Sequence, residues 1–224
     1  MSGFVKSLRS LARRLASKRS RANGARPAEA GAAWYDAMFA ANPHYHCHYR
    51  ESFYYFLWTV IADRLRRAGV ESVLEIGCGS GQLAALLFDQ GLREYTGVDF
   101  SAAAISLAKK TAPQGRFIVG DAHAQELYTG LSCDALICTE VLEHIEDDLG
   151  VVACFPPGIR CICSVPNFPY ESHVRHFNNV ADVTNRYGNY FGDFDVCAFP
   201  SPRSSEDVFF LFEGRRNDAI DKHT

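Results

Sequence analysis

Five residues near the middle of the chain, Glu140-Val141-Leu142-Glu143-His144, gather two carboxyls and an imidazole in one short stretch. An unperturbed imidazole titrates near neutrality, so His144 is suited to take a proton from a hydroxyl or amine, with Glu140 and Glu143 beside it. His173 and His176, in a later polar and aromatic segment, offer the same chemistry. A second set lies upstream. The apolar run Val73 to Ile76 breaks into Gly77-Cys78-Gly79-Ser80-Gly81 and then enters the apolar-faced run Gln82 to Phe88. A strand, a glycine turn and a helix start let backbone approach a ligand where side chains would clash. Tyr95 to Val98 reads as the next strand and ends in Asp99, an acid placed to accept from both hydroxyls of a ribose.

The order of these stretches resembles the class I S-adenosylmethionine-dependent methyltransferases. Glu75-Ile76-Gly77-Cys78-Gly79-Ser80-Gly81 is similar to their first motif and Gly97-Val98-Asp99-Phe100-Ser101 to their second. Val119-Gly120-Asp121-Ala122 and Glu140 to His144 are similar to the third and fourth, so the resemblance spans roughly residues 70 to 167. It implies S-adenosylmethionine as cofactor. Glu75 would meet the donor's ammonium group, Gly77, Cys78, Gly79 and Gly81 would line its path, and Asp99 would take the ribose hydroxyls. Phe100 would cover the adenine, Asp121 would accept from the adenine amino group with Ala122 beside it, and Glu140 would stand at the methyl end. Glu140, Glu143 and His144 with a later histidine also resemble the metal-binding set of the small-RNA 2′-O-methyltransferases, and some quinone-biosynthesis O-methyltransferases share E-x-x-E-H. The same E-V-L-E-H is common in metal-free relatives, and no metal is expected.

Alternation of strand and helix must position these residues. Strands are expected near 72–76, 95–98, 116–119, 133–138 and 160–165, and helices near 81–90, 102–111 and 145–153. Phe194 to Phe199 and Val208 to Phe212 read as a closing antiparallel pair with Pro200 and Pro202 in the turn. The expected fold is α/β: a Rossmann-like, doubly wound, mainly parallel seven-stranded sheet with an antiparallel last strand and an N-terminal helical extension. The predicted division is a basic arm and linker over 1–33, an aromatic-rich helical lead-in over 34–70 that forms part of a substrate lid, a core domain over 71–214 and a polar tail over 215–224. In the lead-in, Phe53, Phe56, Leu57, Val60, Ile61 and Leu65 make a helical stripe, with Ser52 as N-cap and Gly69 as stop. His44, His46 and His48 alternate, which on an extended segment would give one face of a loop rather than a metal site.

Composition bounds the rest. The chain has 224 residues, 47% hydrophobic and 22% charged, with a net charge of −3, which argues for one globular core and against a general nucleic-acid binder. The eight cysteines lack C-x-x-C spacing and read as buried thiols. Before Glu29 the charges are all basic: Lys6, Arg9, Arg13, Arg14, Lys18, Arg19, Arg21 and Arg26. Phe4, Leu8, Leu11 and Leu15 recur at helical spacing, so residues 4–21 suit an anionic membrane surface. The expected protein is cytoplasmic, with peripheral contact at the inner face of the membrane. Its expected activity moves a methyl group to oxygen or nitrogen of a small-molecule acceptor, with no specific nucleic acid as partner. The alternatives are a non-catalytic donor-binding interaction module docked by its N-terminal helix and, less favoured, a metal-assisted sugar, catechol or RNA 2′-O-methyltransferase. A nicotinamide-dependent reductase is disfavoured by the glycine spacing.

Overall fold

The computed structural model describes residues 28–130, 132–202 and 204–218. The basic stretch that motivates a membrane contact, residues 4–21, lies outside them. Seven strands form one sheet in the order β3-β2-β1-β4-β5-β7-β6. They are β1 (Ser72–Ile76), β2 (Glu94–Asp99), β3 (Arg116–Val119), β4 (Ala135–Thr139), β5 (Arg160–Pro166), β6 (Phe191–Ser201) and β7 (Ser204–Arg216). All pairings are parallel except those of β7 with β5 and β6. The helices are α1 (Ala32–Ala41), α2 (Tyr55–Arg67), α3 (Gln82–Asp89), α4 (Ala102–Thr111), α5 (Asp148–Cys154) and α6 (Val180–Tyr187). The expected fold is the observed one.

A central parallel strand is covered on both faces, so it must be apolar throughout. All five residues of β4 are buried, and Val73, Leu74 and Ile76 of β1 are between 1% and 2% exposed. Two apolar clusters follow, one per face. Leu57, Ile61 and Leu65 of α2 and Leu83 and Leu87 of α3 cover one, and Val151, Val152, Val183 and Tyr187 cover the other. Strand order reverses between β1 and β4, so the loops after them, Gly77 to Gly81 and Glu140 to His144, splay apart and leave a crevice at the strands' carboxyl ends.

Several boundaries differ from expectation, each for a local reason. The helix expected over 145–153 begins at Asp148, because Leu142–His144 forms a single 3-10 turn and Asp147 caps α5 by accepting from the Gly150 amide at 3.1 Å. The segment Phe168 to Tyr190 contains a helix, α6, capped by Asn179, which accepts from Asp182 at 3.0 Å. The polar tail begins later than Arg215: Arg216 still belongs to β7, is 4% exposed and donates to the Val152 carbonyl at 3.0 Å. The arm-and-linker likewise ends at Gly31, where α1 starts. Ser52 lies short of α2, whose N-cap is Tyr54, while Gly69 does end it with φ of 68°. His44, His46 and His48 do not align. Pro43–Tyr45 is a 3-10 turn, the His46 ring bonds the Phe39 carbonyl at 2.8 Å, and the His48 ring accepts from the Arg50 amide at 3.2 Å.

Candidate active site

The crevice opens into a cavity of about 740 Å³. One half is built by β1, β2 and the turns after them. Gly77 has φ of 74°, and a Cβ there would meet Val141 Cγ2 at 2.1 Å, so the backbone conformation and the packing both demand glycine. Gly79 holds φ of 51° and its amide donates to Asp99 Oδ2 at 2.9 Å. The other Asp99 oxygen accepts from the Ser101 amide at 2.9 Å, which fixes the carboxyl across the mouth of the glycine turn. Burial raises the Asp99 pKa to about 6 despite these two bonds. Glu75 is 3% exposed, accepts from the Tyr95 hydroxyl and lines the cavity, and its burial lifts the pKa to about 8. Cys78, Phe100, Asp121 and Ala122 also line it. Asp121 accepts from the His123 amide at 2.8 Å, which lowers its pKa. Gly81 differs from expectation. It does not line the cavity; a Cβ on it would meet Ala108 Cα at 2.9 Å, so it serves the packing of α4.

The other half gathers Glu140, Glu143, His144 and His173. Glu140 has φ of 56° and accepts from Ser164 Oγ at 2.8 Å; burial raises its pKa to about 8. Glu143 is fully buried, and neither carboxyl oxygen has a hydrogen-bond partner. Burial, followed by the repulsion of Glu140, drives its pKa well above the ordinary carboxylate range. His144 Nδ1 lies 3.1 Å from the Ser172 carbonyl, and His173 Nδ1 lies 3.0 Å from the Phe168 carbonyl. A carbonyl can only accept, so in His173 Nδ1 carries the proton and Nε2 presents a lone pair. His144 Nδ1 also lies 3.0 Å from Ser172 Oγ, which can donate to it, so either tautomer of His144 is satisfied. The Nε2 atoms of His144 and His173 stand 3.6 and 3.9 Å from Glu143 Oε1. Burial lowers the His144 pKa to about 4 and the His173 pKa to about 3, which removes the near-neutral titration expected of His144. His176 is exposed and does not line the cavity.

A lead-in and a return segment cover the site. Asp36 of α1 accepts from Ser101 Oγ at 2.6 Å and from the Ala103 amide at 3.0 Å, which brings Tyr35 of the same helix over Phe100 and His144 with ring centroids at 5.0 and 5.9 Å. The amides of Val174 and Arg175 face the Glu143 carbonyl at 2.9 and 3.4 Å. The Arg175 guanidinium donates to the carbonyls of Leu142, Ile145 and Glu146 and pairs with the fully buried Asp148 at 3.2 Å. Sequence reasoning missed His123 and Arg175 as site-shaping residues. His123 was legible two residues after Asp121, as an Asx-type partner; Arg175 acts through long-range contacts that local spacing does not carry.

The fold is a doubly wound α/β sheet whose cavity runs from the glycine turn to Glu140, Glu143, His144 and His173. Residues 74–155 match the family model described as a methyltransferase domain. A demethylmenaquinone methyltransferase of Thermotoga maritima is 35% identical over 69 residues, covering 30% of each chain. A ubiquinone biosynthesis O-methyltransferase of Pasteurella multocida is 29% identical over 107 residues, 42% of this chain and 44% of the relative. The chain thus spans less than half the length of these curated relatives. Magnesium protoporphyrin IX methyltransferase of Synechocystis PCC 6803, solved with bound SAM, superposes with a TM-score of 0.55 at 20% identity, over 71% of this chain and 78% of that one. The similarity to a methyltransferase domain thus covers residues 74–155, and the solved methyltransferase shares the fold.

Proposed function

We propose that the protein transfers a methyl group from S-adenosylmethionine to an oxygen or nitrogen of a small molecule. One observation carries the reading: a single cavity joins the glycine cradle, Glu75 and Asp99 to Glu140, Glu143, His144 and His173. Its volume, about 740 Å³, suits a nucleoside-sized donor and a small acceptor together. The residues fit the donor: a cradle free of side chains, a buried acid for its ammonium and a second for its ribose hydroxyls. S-adenosylmethionine supplies an activated methyl on a sulfonium leaving group, so the chain needs mainly to orient a nucleophile. Glu143 and the two imidazoles present three hydrogen-bonding groups to an incoming hydroxyl or amine. Buried neutral imidazoles are weak bases, and Glu140 and Glu143 largely hold their own protons at neutral pH. The four side chains thus orient the acceptor, and only the ionised fraction of the carboxyls takes up its proton. Glu143→Gln and His144→Ala therefore lower turnover by roughly a hundredfold while S-adenosylhomocysteine affinity stays at the wild-type value. Unchanged turnover in both refutes the assignment. Donor binding without turnover on any acceptor in the wild type would favour the non-catalytic module.

A second reading has its own support. Ligand atoms of Glu143, His144 and His173 all lie within 4.8 Å of one another, and neither Glu143 oxygen has a hydrogen-bond partner among the described residues. Three converging ligand atoms suit a divalent cation, which would draw an acceptor oxygen into place. Titration of the metal-free protein with Mg²⁺ and Mn²⁺ tests it: saturable binding that Glu143→Gln abolishes supports the cation, and chelator-insensitive turnover removes it. For residues 4–21, the basic composition supports contact with anionic lipid; sedimentation with anionic vesicles that is the same for the full chain and one starting at Ala33 rules it out.

A further inference from the structure

We infer that the acceptor presents an uncharged aromatic ring to the inner chamber of this cavity. The inference rests on the methyl-transfer reading and narrows its substrate class. Charge is the first observation. Among the described residues, no lysine or arginine lines the cavity, whereas Glu29, Glu75, Asp99, Asp121, Glu140 and Glu143 all do. Arg175 lies close by in sequence, yet its guanidinium is committed to three carbonyls and to Asp148. His123, at the donor end, sits against Asp121 at 3.1 Å. A phosphate or carboxylate entering this chamber would lose its water and meet carboxyls instead of cations.

Shape is the second observation. Phe168, 6.2 Å from His173, lines the cavity, as do Phe53, Tyr54 and Trp58, and the fully buried Phe209 backs them from the core, 5.3 Å from Phe168 and 5.6 Å from Phe53. Tyr54 lies 4.1 Å from Phe53, with Trp58 5.6 Å further on and stacked. Phe100, Tyr35 and His144 form a second set on the donor side, and His144 and His173 join the two at 4.6 Å between centroids. The two aromatic sets therefore meet at the imidazoles beside Glu143. A planar ring held along them gains edge and stacking contacts and brings a ring hydroxyl or amine to Glu143. Sugars and aliphatic phosphoesters gain neither.

The test uses the full-length protein saturated with S-adenosylhomocysteine and matched probes: 4-methylcatechol against 3,4-dihydroxybenzoate, and phenol against phenyl phosphate. The neutral member of each pair binds at least about tenfold more tightly in calorimetric titration. Tyr170→Ala, at a half-exposed ring 5.6 Å from His173, and Phe168→Leu each weaken the neutral probes by about three- to tenfold, with the nucleoside affinity unchanged. Tyr170→Arg shifts preference towards the anionic members. Equal or tighter binding of the anions by the wild type, tighter binding of an aliphatic ammonium probe, or no binding of any neutral ring at millimolar concentration overturns the inference. Failure of S-adenosylhomocysteine itself to bind is a different outcome, and it refutes the methyl-transfer reading together with this one.

Discussion

Asp99→Ala separates what Asp99 does for the fold from what it does for a ligand. Its carboxyl is 7% exposed and braces two backbone amides, Gly79 and Ser101, each at 2.9 Å. Removing it leaves two amides without that acceptor, at a cost of about 1–3 kcal/mol each. It also removes a charge that the interior disfavours: a pKa raised from 3.8 to about 6 corresponds to roughly 3 kcal/mol at neutral pH. The two effects oppose each other and largely cancel, so the ligand-free variant unfolds within a few degrees of the wild type. Ligand binding has no such cancellation. Two charge-assisted bonds to ribose hydroxyls are worth roughly 2–4 kcal/mol after desolvation, which predicts a 30- to 1000-fold loss of S-adenosylhomocysteine affinity.

Thermal unfolding with and without ligand reads both effects at once. At a ligand concentration of a hundred times the wild-type Kd, the wild type gains about 2.7 kcal/mol. A variant weakened thirtyfold gains about 0.9 kcal/mol under the same conditions. The expected pattern is therefore a ligand-free midpoint within a few degrees of the wild type and an increment cut to a third or less. A full increment in Asp99→Ala refutes the ribose assignment. A ligand-free loss above about 5 kcal/mol refutes the balance of brace against buried charge. Asp99→Asn, neutral but still able to accept one amide, should fall between the two.

Glu75, with its pKa raised to about 8, is largely protonated in the ligand-free protein at pH 7, and stability is lost as pH rises from about 4.5 through about 8. Pairing with the donor's ammonium must then release a proton, detectable as buffer-dependent calorimetric heat; Glu75→Gln abolishes it, and buffer-independent heat in the wild type refutes the pairing. Gly77→Ala, at φ of 74° and with Val141 in the way, costs about 2–5 kcal/mol and lowers donor affinity as the E-V-L-E-H loop shifts; a wild-type melting midpoint contradicts it.

The sheet was legible because its strands are short apolar runs separated by glycine turns and amphipathic helices, and burial on both faces of β1 and β4 requires that composition. The glycine-turn half of the cavity was legible for the same reason: Gly77, Gly79 and Asp99 owe their positions to strand ends and turns, which are local. The limits of local reading appear at Gly81. It has the positive φ that the glycine pattern suggests, yet what it faces is Ala108, a residue of the next helix, and only packing reveals that. Helix α6 carried its signals, an Asn179 cap and buried Val183 and Tyr187 at helical spacing, but the surrounding histidines, asparagines and arginines masked them. The boundary at Arg216 was obscured similarly, since a buried arginine reads as tail until its carbonyl partners are known.

His173 and His176 show why the second half of the site was only partly legible. They are three residues apart in one segment and are chemically identical as sequence. The segment is anchored by Val174 donating to the Glu143 carbonyl, and the tyrosine and serine before it turn the chain so that His173 points inward. There the Phe168 carbonyl takes the Nδ1 proton and leaves Nε2 facing Glu143, while His176 emerges on the surface. The same burial that holds His173 and His144 beside Glu143 pulls their pKa values to about 3 and about 4. An imidazole buried against two neighbours cannot also be the neutral-pH base that its composition suggests. What the fold gathers is therefore a patch rather than a single histidine: two imidazoles held by backbone carbonyls beside a fully buried carboxyl that has no hydrogen-bond partner among the described residues. On the proposed reading, the acceptor's hydroxyl or a divalent ion supplies that carboxyl's missing partner.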